Sequence, residues 1–138
     1  MFFKKTEKKN NHKDLTKIAA LLIHAAKIDE NFSLIEKNII KKTLSKIGAN
    51  DREIEKIIEE ALNIEENSNQ ILDFTREVKN MSEDNKIKII ETLWRIIYSN
   101  KIADDYETNL MRRLAGLLYI DNKVMGDIKE KIKKEISK

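Results

Sequence analysis

The chain has 138 residues, among them three Gly, no Pro and no Cys, and a formal net charge of +3. That length fits one domain able to bury its own core, and the missing Cys excludes disulfides, thiolate metal sites and thiol catalysis. Charged residues make up 37% and hydrophobic ones 41%, the balance of amphipathic helices rather than of a disordered chain.

Residues 1–13 carry five Lys and one Glu, and residues 127–138 carry five Lys against Asp127, Glu130 and Glu135. The segment between them is therefore mildly acidic. A nucleic-acid face concentrates positive charge on ordered elements, so no nucleic-acid partner is expected. Residues 1–13 have no apolar period and are expected to form a flexible basic tail ahead of a helical domain spanning 14–138. The tail opens Met1-Phe2-Phe3, which offers two rings and several lysines for peripheral contact with an anionic membrane. A solubilising tail is the simpler reading. It has no apolar core of the secretory type.

Seven helices follow from periodicity and caps. The first starts at Asp14 and sets Leu15, Ile18, Leu22 and Ala25 on one face, with His24 at the border of that face. Its apolar run, Ile18 to Ala26, is nine residues long, far short of the ~20 a membrane span needs. The second follows Ser33, buries Ile39, Ile40, Leu44 and Ile47, and stops at Gly48. The third begins at Asn50 or Asp51 with Ile54, Ile57, Ile58, Ala61 and Leu62 inward. A polar loop leads to the fourth, with Ile71, Phe74 and Val78. The fifth opens at Ser82, carries Ile87, Ile90, Leu93, Trp94 and Ile97, and is expected to be the central buried helix. The sixth starts at Asp104 with Tyr106, Leu110, Leu114 and Leu117 inward, and the seventh near Asp121 with Met125, Ile128 and Ile132. No segment alternates as a half-buried strand would. The expected fold is an all-α bundle.

The chain also repeats itself at an offset of 71 residues, without gaps from Ile18/Ile89 to Asn50/Asp121. Asp29 answers to Asn100, Ser33 to Asp104, Glu36 to Glu107, and Lys41-Lys42 to Arg112-Arg113. The repeat predicts two pseudo-symmetric halves whose equivalent turns lie on the same side of the bundle. In each half a Ser or Asp is followed three residues later by Glu. This is a capping box, in which the first side chain accepts the N3 amide and the Glu reaches back to the cap's own amide. Capping explains those four residues completely. It does not explain Asp29 and Asn100, four positions earlier. Together with Glu36, Asp104 and Glu107 they give oxygen donors of the kind a hard cation such as Ca²⁺ takes from a compact loop. The pattern is not an EF-hand, since Glu30 and Lys101 stand where that loop needs Gly. Trp94 and Met125 have core spacing, and the basic pairs are solvated or bind an anion. No His pair, phosphate loop or nucleophile signature is present, so no enzyme is expected.

The run Ala26 to Lys37 and, more specifically, Leu93-Trp94-Arg95 through Tyr98, Asp104, Tyr106, Glu107, Leu110 and Arg112-Arg113 resemble the TerB-like family. That family comprises tellurite-resistance TerB proteins and the N-terminal domain of DjlA co-chaperones. The resemblance covers roughly residues 14–130. It implies an all-helical bundle of two pseudo-symmetric halves, divalent-cation binding through the acidic turns, and a place in stress-response or membrane-linked complexes on the cytoplasmic side. The family's D-G-x-x-D-x-x-E turns fall on Asp29, Glu30, Ser33 and Glu36, and on Asn100, Lys101, Asp104 and Glu107. One Asp of each turn is replaced, by Ser33 and by Asn100, so the implied Ca²⁺ site is carboxylate-poor and weak. Other proteins are the expected partners. Co-chaperone activity is not implied, because a J-domain needs a His-Pro-Asp tripeptide and the chain has no Pro.

Overall fold

In the computed structural model, which describes residues 12–27, 33–67, 72–99 and 105–137, seven helices run in succession. They are α1 (His12–Ala26), α2 (Leu34–Lys46), α3 (Asp51–Glu66), α4 (Leu72–Lys79), α5 (Glu83–Tyr98), α6 (Asp105–Leu117) and α7 (Asn122–Ser137). No strand occurs among the described residues, and the all-α expectation holds.

Most of the expected helix starts are found where polar side chains meet orphan amides. Ser33, Asn50 and Ser82 are N-caps whose side chains accept from the amides of Glu36, Arg52 and Asn85. Asp121 Oδ1 accepts from Lys123 N–H at 2.7 Å ahead of α7. The first helix differs. It begins at His12, with Asp14 inside its first turn. An acidic side chain is favoured both as a cap and within the first turn, so Asp14 by itself could not fix that boundary. Helical structure thus reaches into the segment expected to be tail, of which residues 1–11 lie outside the described residues. Asp104, the expected cap of α6, also lies outside them.

The 71-residue offset governs the architecture. Helices α1, α2 and α3 begin at 12, 34 and 51, and α5, α6 and α7 at 83, 105 and 122. The ends of α2 and α6 match bond for bond. Ala49 N–H reaches Leu44 O and Gly48 N–H reaches Ser45 O; Ile120 N–H reaches Ala115 O and Tyr119 N–H reaches Gly116 O. Both are Schellman endings, which place one residue in the left-handed region. Gly48 adopts φ 110° there, and its counterpart Tyr119 adopts φ 57°. The second copy thus keeps the backbone path while tolerating a side chain that disfavours it. The equivalent turns at 28–32 and 100–104, expected on one side of the bundle, lie outside the described residues.

Two helices share the centre. The sequence singled out α5, whose Ile89, Ile90, Leu93, Ile96 and Ile97 are fully buried on all sides. However, α1 is buried as completely, with Ile18, Ala19, Ala20, Leu21, Leu22 and Ile23 at 0% exposure. It packs against α2, α3, α4 and α5, and its alanines let those backbones approach. Of the expected inward residues, Ile39, Leu62, Ile87 and Leu117 are only partly buried against the core. The short α4 has no counterpart in the repeat and fastens to α1 through Phe74 and Val78. Where α2 of the first copy meets α5 of the second, Thr43 and Thr92 exchange a hydrogen bond at 2.5 Å. Thr92 donates its one proton to Lys88 O at 2.7 Å, so Thr43 donates to Thr92 rather than to Ile39 O, and this buried polar contact between the copies is satisfied.

Candidate functional site

Of the acidic turns, the start of α2 is described. Ser33 has extended backbone (φ −77°, ψ 164°), and its Oγ accepts from Glu36 N–H at 3.1 Å. Glu36 Oε1 accepts from Ser33 N–H at 2.8 Å. The capping box read from the sequence is therefore present in full. One property goes beyond capping: Glu36 is 2% exposed. A capping Glu can sit in water at no cost, whereas burying a carboxylate is expensive unless its charge is compensated. Between Ser33 and Glu36, Leu34 and Ile35 point outward at 71% and 65% exposure.

The other expected cation ligands are not brought into view. Asp29, Asn100 and Asp104 lie outside the described residues; Glu107 belongs to the first turn of α6, and its side chain lies outside them as well. Among the described residues no group of three His, Cys, Asp or Glu could hold a metal ion. His24, at the border of the α1 stripe as expected, is partly exposed and pairs through Nδ1 with Glu65 Oε2 at 3.2 Å. Lys27 Nζ meets the other oxygen of Glu65 at 2.7 Å.

That cluster ties α1 to α3, and a bidentate pair ties α5 to α7 in the same manner. Arg95 Nε and a terminal nitrogen lie 2.8 and 3.1 Å from the two oxygens of Glu135. The hydrogen bonds from Arg95 hold the Glu135 carboxyl below its ordinary value. The same bonds raise Arg95 above its own.

A second feature was not legible as a site. A cavity of about 240 Å³ opens between α5, α6 and α7, with walls from Trp94, Met111, Ala115, Met125 and Gly126 and polar groups from Thr108, Arg112, Asn122 and Lys129. Trp94 is 3% exposed, stacks on Tyr98 with centroids 5.8 Å apart, and lies under Lys129 Nζ at 5.5 Å from the ring. Its Nε1–H is buried without a hydrogen-bond partner. The sequence placed Trp94 and Met125 correctly in the core, but periodicity cannot show that a core residue also floors a groove. The available signal was Gly126, a glycine inside a helix.

The family model of the tellurite resistance protein TerB matches residues 15–130. That span runs from the first core residue of α1 into α7, across both copies of the repeat. No curated protein and no solved structure matches the chain.

Proposed function

The chain belongs to the family of the tellurite resistance protein TerB, and from that membership we propose a non-enzymatic binding and sensing module, weakly responsive to divalent cations. Asp29 and Glu36 in the first copy, with Asn100, Asp104 and Glu107 in the second, are its proposed cation ligands. The observation that carries the reading is Glu36. Its carboxylate is almost wholly buried at the mouth of an acidic turn, and one oxygen is fixed by the capping amide. Such a group is held in one orientation, at the start of the helix that Asp29 precedes in sequence. The proposed location is the cytoplasm. No helix among the described residues is long and apolar enough to cross a membrane.

A second reading, a protein-interaction domain with no metal site, is favoured by one feature. Leu34 and Ile35 are adjacent, large, apolar and exposed, and they sit on the first turn of the same helix. Adjacent exposed apolar groups of this kind suit a protein contact.

Thermal unfolding with and without divalent ions separates the two. Glu36→Gln keeps a side chain able to complete the capping box but removes the charge a hard cation needs. With a dissociation constant in the range of carboxylate-poor sites, about 1 mM, a tenfold excess of Ca²⁺ should stabilise the parent by about 1.4 kcal/mol. For a domain of this size that is a rise of about 5 °C in Tm. Glu36→Gln should lose most of that increment. A parent whose Tm is unmoved by Ca²⁺, Mg²⁺ and Mn²⁺ would remove the cation and leave the interaction domain.

A further inference from the structure

We propose that the groove between α6 and α7 receives the carboxylate of a glutamate side chain from a partner polypeptide. This rests on a comparison of the two copies and is independent of the cation reading.

In the first copy the equivalent cation is paired from within, by a carboxylate at the surface. Glu55 of α3 reaches α2, where Lys41 Nζ bonds one carboxylate oxygen and Lys37 Nζ lies 3.6 Å from the other. The bond from Lys41 holds the Glu55 carboxyl below its ordinary value. At the 71-residue offset Lys41 becomes Arg112, Lys37 becomes Thr108 and Glu55 becomes Gly126. The cation is kept, a second donor is kept, and the carboxylate is deleted.

Nothing within the fold requires that deletion. Gly126 lies inside α7, where Gly costs about 0.5–1 kcal/mol relative to Ala. Its φ is not positive, and a Cβ there would meet no atom within 4 Å. Neither backbone conformation nor crowding selects glycine at this position. The effect of its missing side chain is to leave the groove above Trp94 open.

The groove then has the chemistry of its absent glutamate. Among the described residues Arg112 meets no carboxylate, and its hydrogen bond goes to Asn109 Oδ1 at 3.3 Å. A guanidinium offers a carboxylate two parallel donors. Lys129 adds a second cation over the Trp94 ring, where the first copy has Ile58. Trp94, Met111 and Met125 line the groove but are almost wholly buried, so they offer a side-chain stem only their edges. At about 240 Å³ the cavity falls below the usual 300–1,000 Å³ of small-molecule sites. It suits one side chain of a partner.

The test is an NMR titration of the full-length, ¹⁵N-labelled chain with a blocked peptide, acetyl-Leu-Glu-Leu-amide. Its Gln counterpart and hexanoate serve as controls. The Glu peptide should shift amides across α6 and α7, and the Gln peptide should bind about two- to fivefold more weakly, the range of a surface ion pair. Gly126→Glu should weaken the response by supplying the carboxylate internally, and Arg112→Gln should weaken it by a factor similar to that of the Gln peptide. No response at α6 and α7, equal binding of the Gln peptide, or a response unchanged by Gly126→Glu would each overturn the proposal. Hexanoate binding as tightly as the peptide would also overturn it, in favour of a free carboxylic acid.

Discussion

Trp94→Ala should lower the unfolding free energy by about 3–5 kcal/mol, the range for deleting a buried large aromatic. Trp94 is 3% exposed and stands where α5 meets the second copy's groove. Its removal takes away the stack on Tyr98 and the surface under Lys129, and it extends an existing cavity into the core. The indole also carries an unpaired, buried N–H, which costs about 1–3 kcal/mol to leave unsatisfied. Trp94→Phe deletes that donor while keeping most of the ring, so its loss should stay below about 1.5 kcal/mol. Urea unfolding of the parent and both variants measures the pair. A loss under about 1 kcal/mol for Trp94→Ala would mark Trp94 as a contact residue with little part in the core.

Phe74→Ala should cost about 3–5 kcal/mol by the same rule, with a different signature. Phe74 is the largest of the fully buried side chains and sits on α4, a helix of eight residues. An isolated helix of that length is not stable in water, so α4 depends on Phe74 and Val78 docking onto α1. Removing the ring should first release α4. Amide hydrogen exchange in residues 74–80 should then accelerate more than exchange in α1 or α5. Uniform acceleration throughout the chain would show that α4 unfolds only with the whole domain.

The fold was legible because its signals are local and are written twice. Ser33, Asn50, Ser82 and Asp121 announce helix starts by capping chemistry, and Gly48 announces an end. The repeat carries each reading into the other half, where Tyr119 alone would not have marked a helix end. The start of α1 was missed by three residues, with Asp14 expected as the N-cap and His12 the first helical residue, because Asp14 is as welcome inside a first turn as before it. The central place of α1 was underrated because its alanines add little hydrophobicity, yet they decide how closely four neighbours approach. At the acidic turn the capping box of Ser33 and Glu36 was fully legible, while the burial of Glu36 was not, since burial is set by tertiary neighbours. For the basic pairs at Lys41 and Arg112 the sequence allows both solvation and anion binding, for the same reason. Whether a cation has a carboxylate facing it depends on residue 55 or 126, on another helix.

The central claim is that one three-helix unit is used twice, its cation paired by an internal carboxylate in the first copy and left without that carboxylate in the second. The unfolding free energy of Gly126→Glu, in the parent and in an Arg112→Ala background, tests it most directly. If the copies are equivalent, the new side chain should find Arg112 as Glu55 finds Lys41. Stability should rise by about 1 kcal/mol, from helix propensity and from a surface ion pair worth about 0.2–1 kcal/mol. The ion-pair part of that gain should vanish without Arg112. A loss of stability, or a gain that is the same with and without Arg112, would contradict the equivalence of the two grooves.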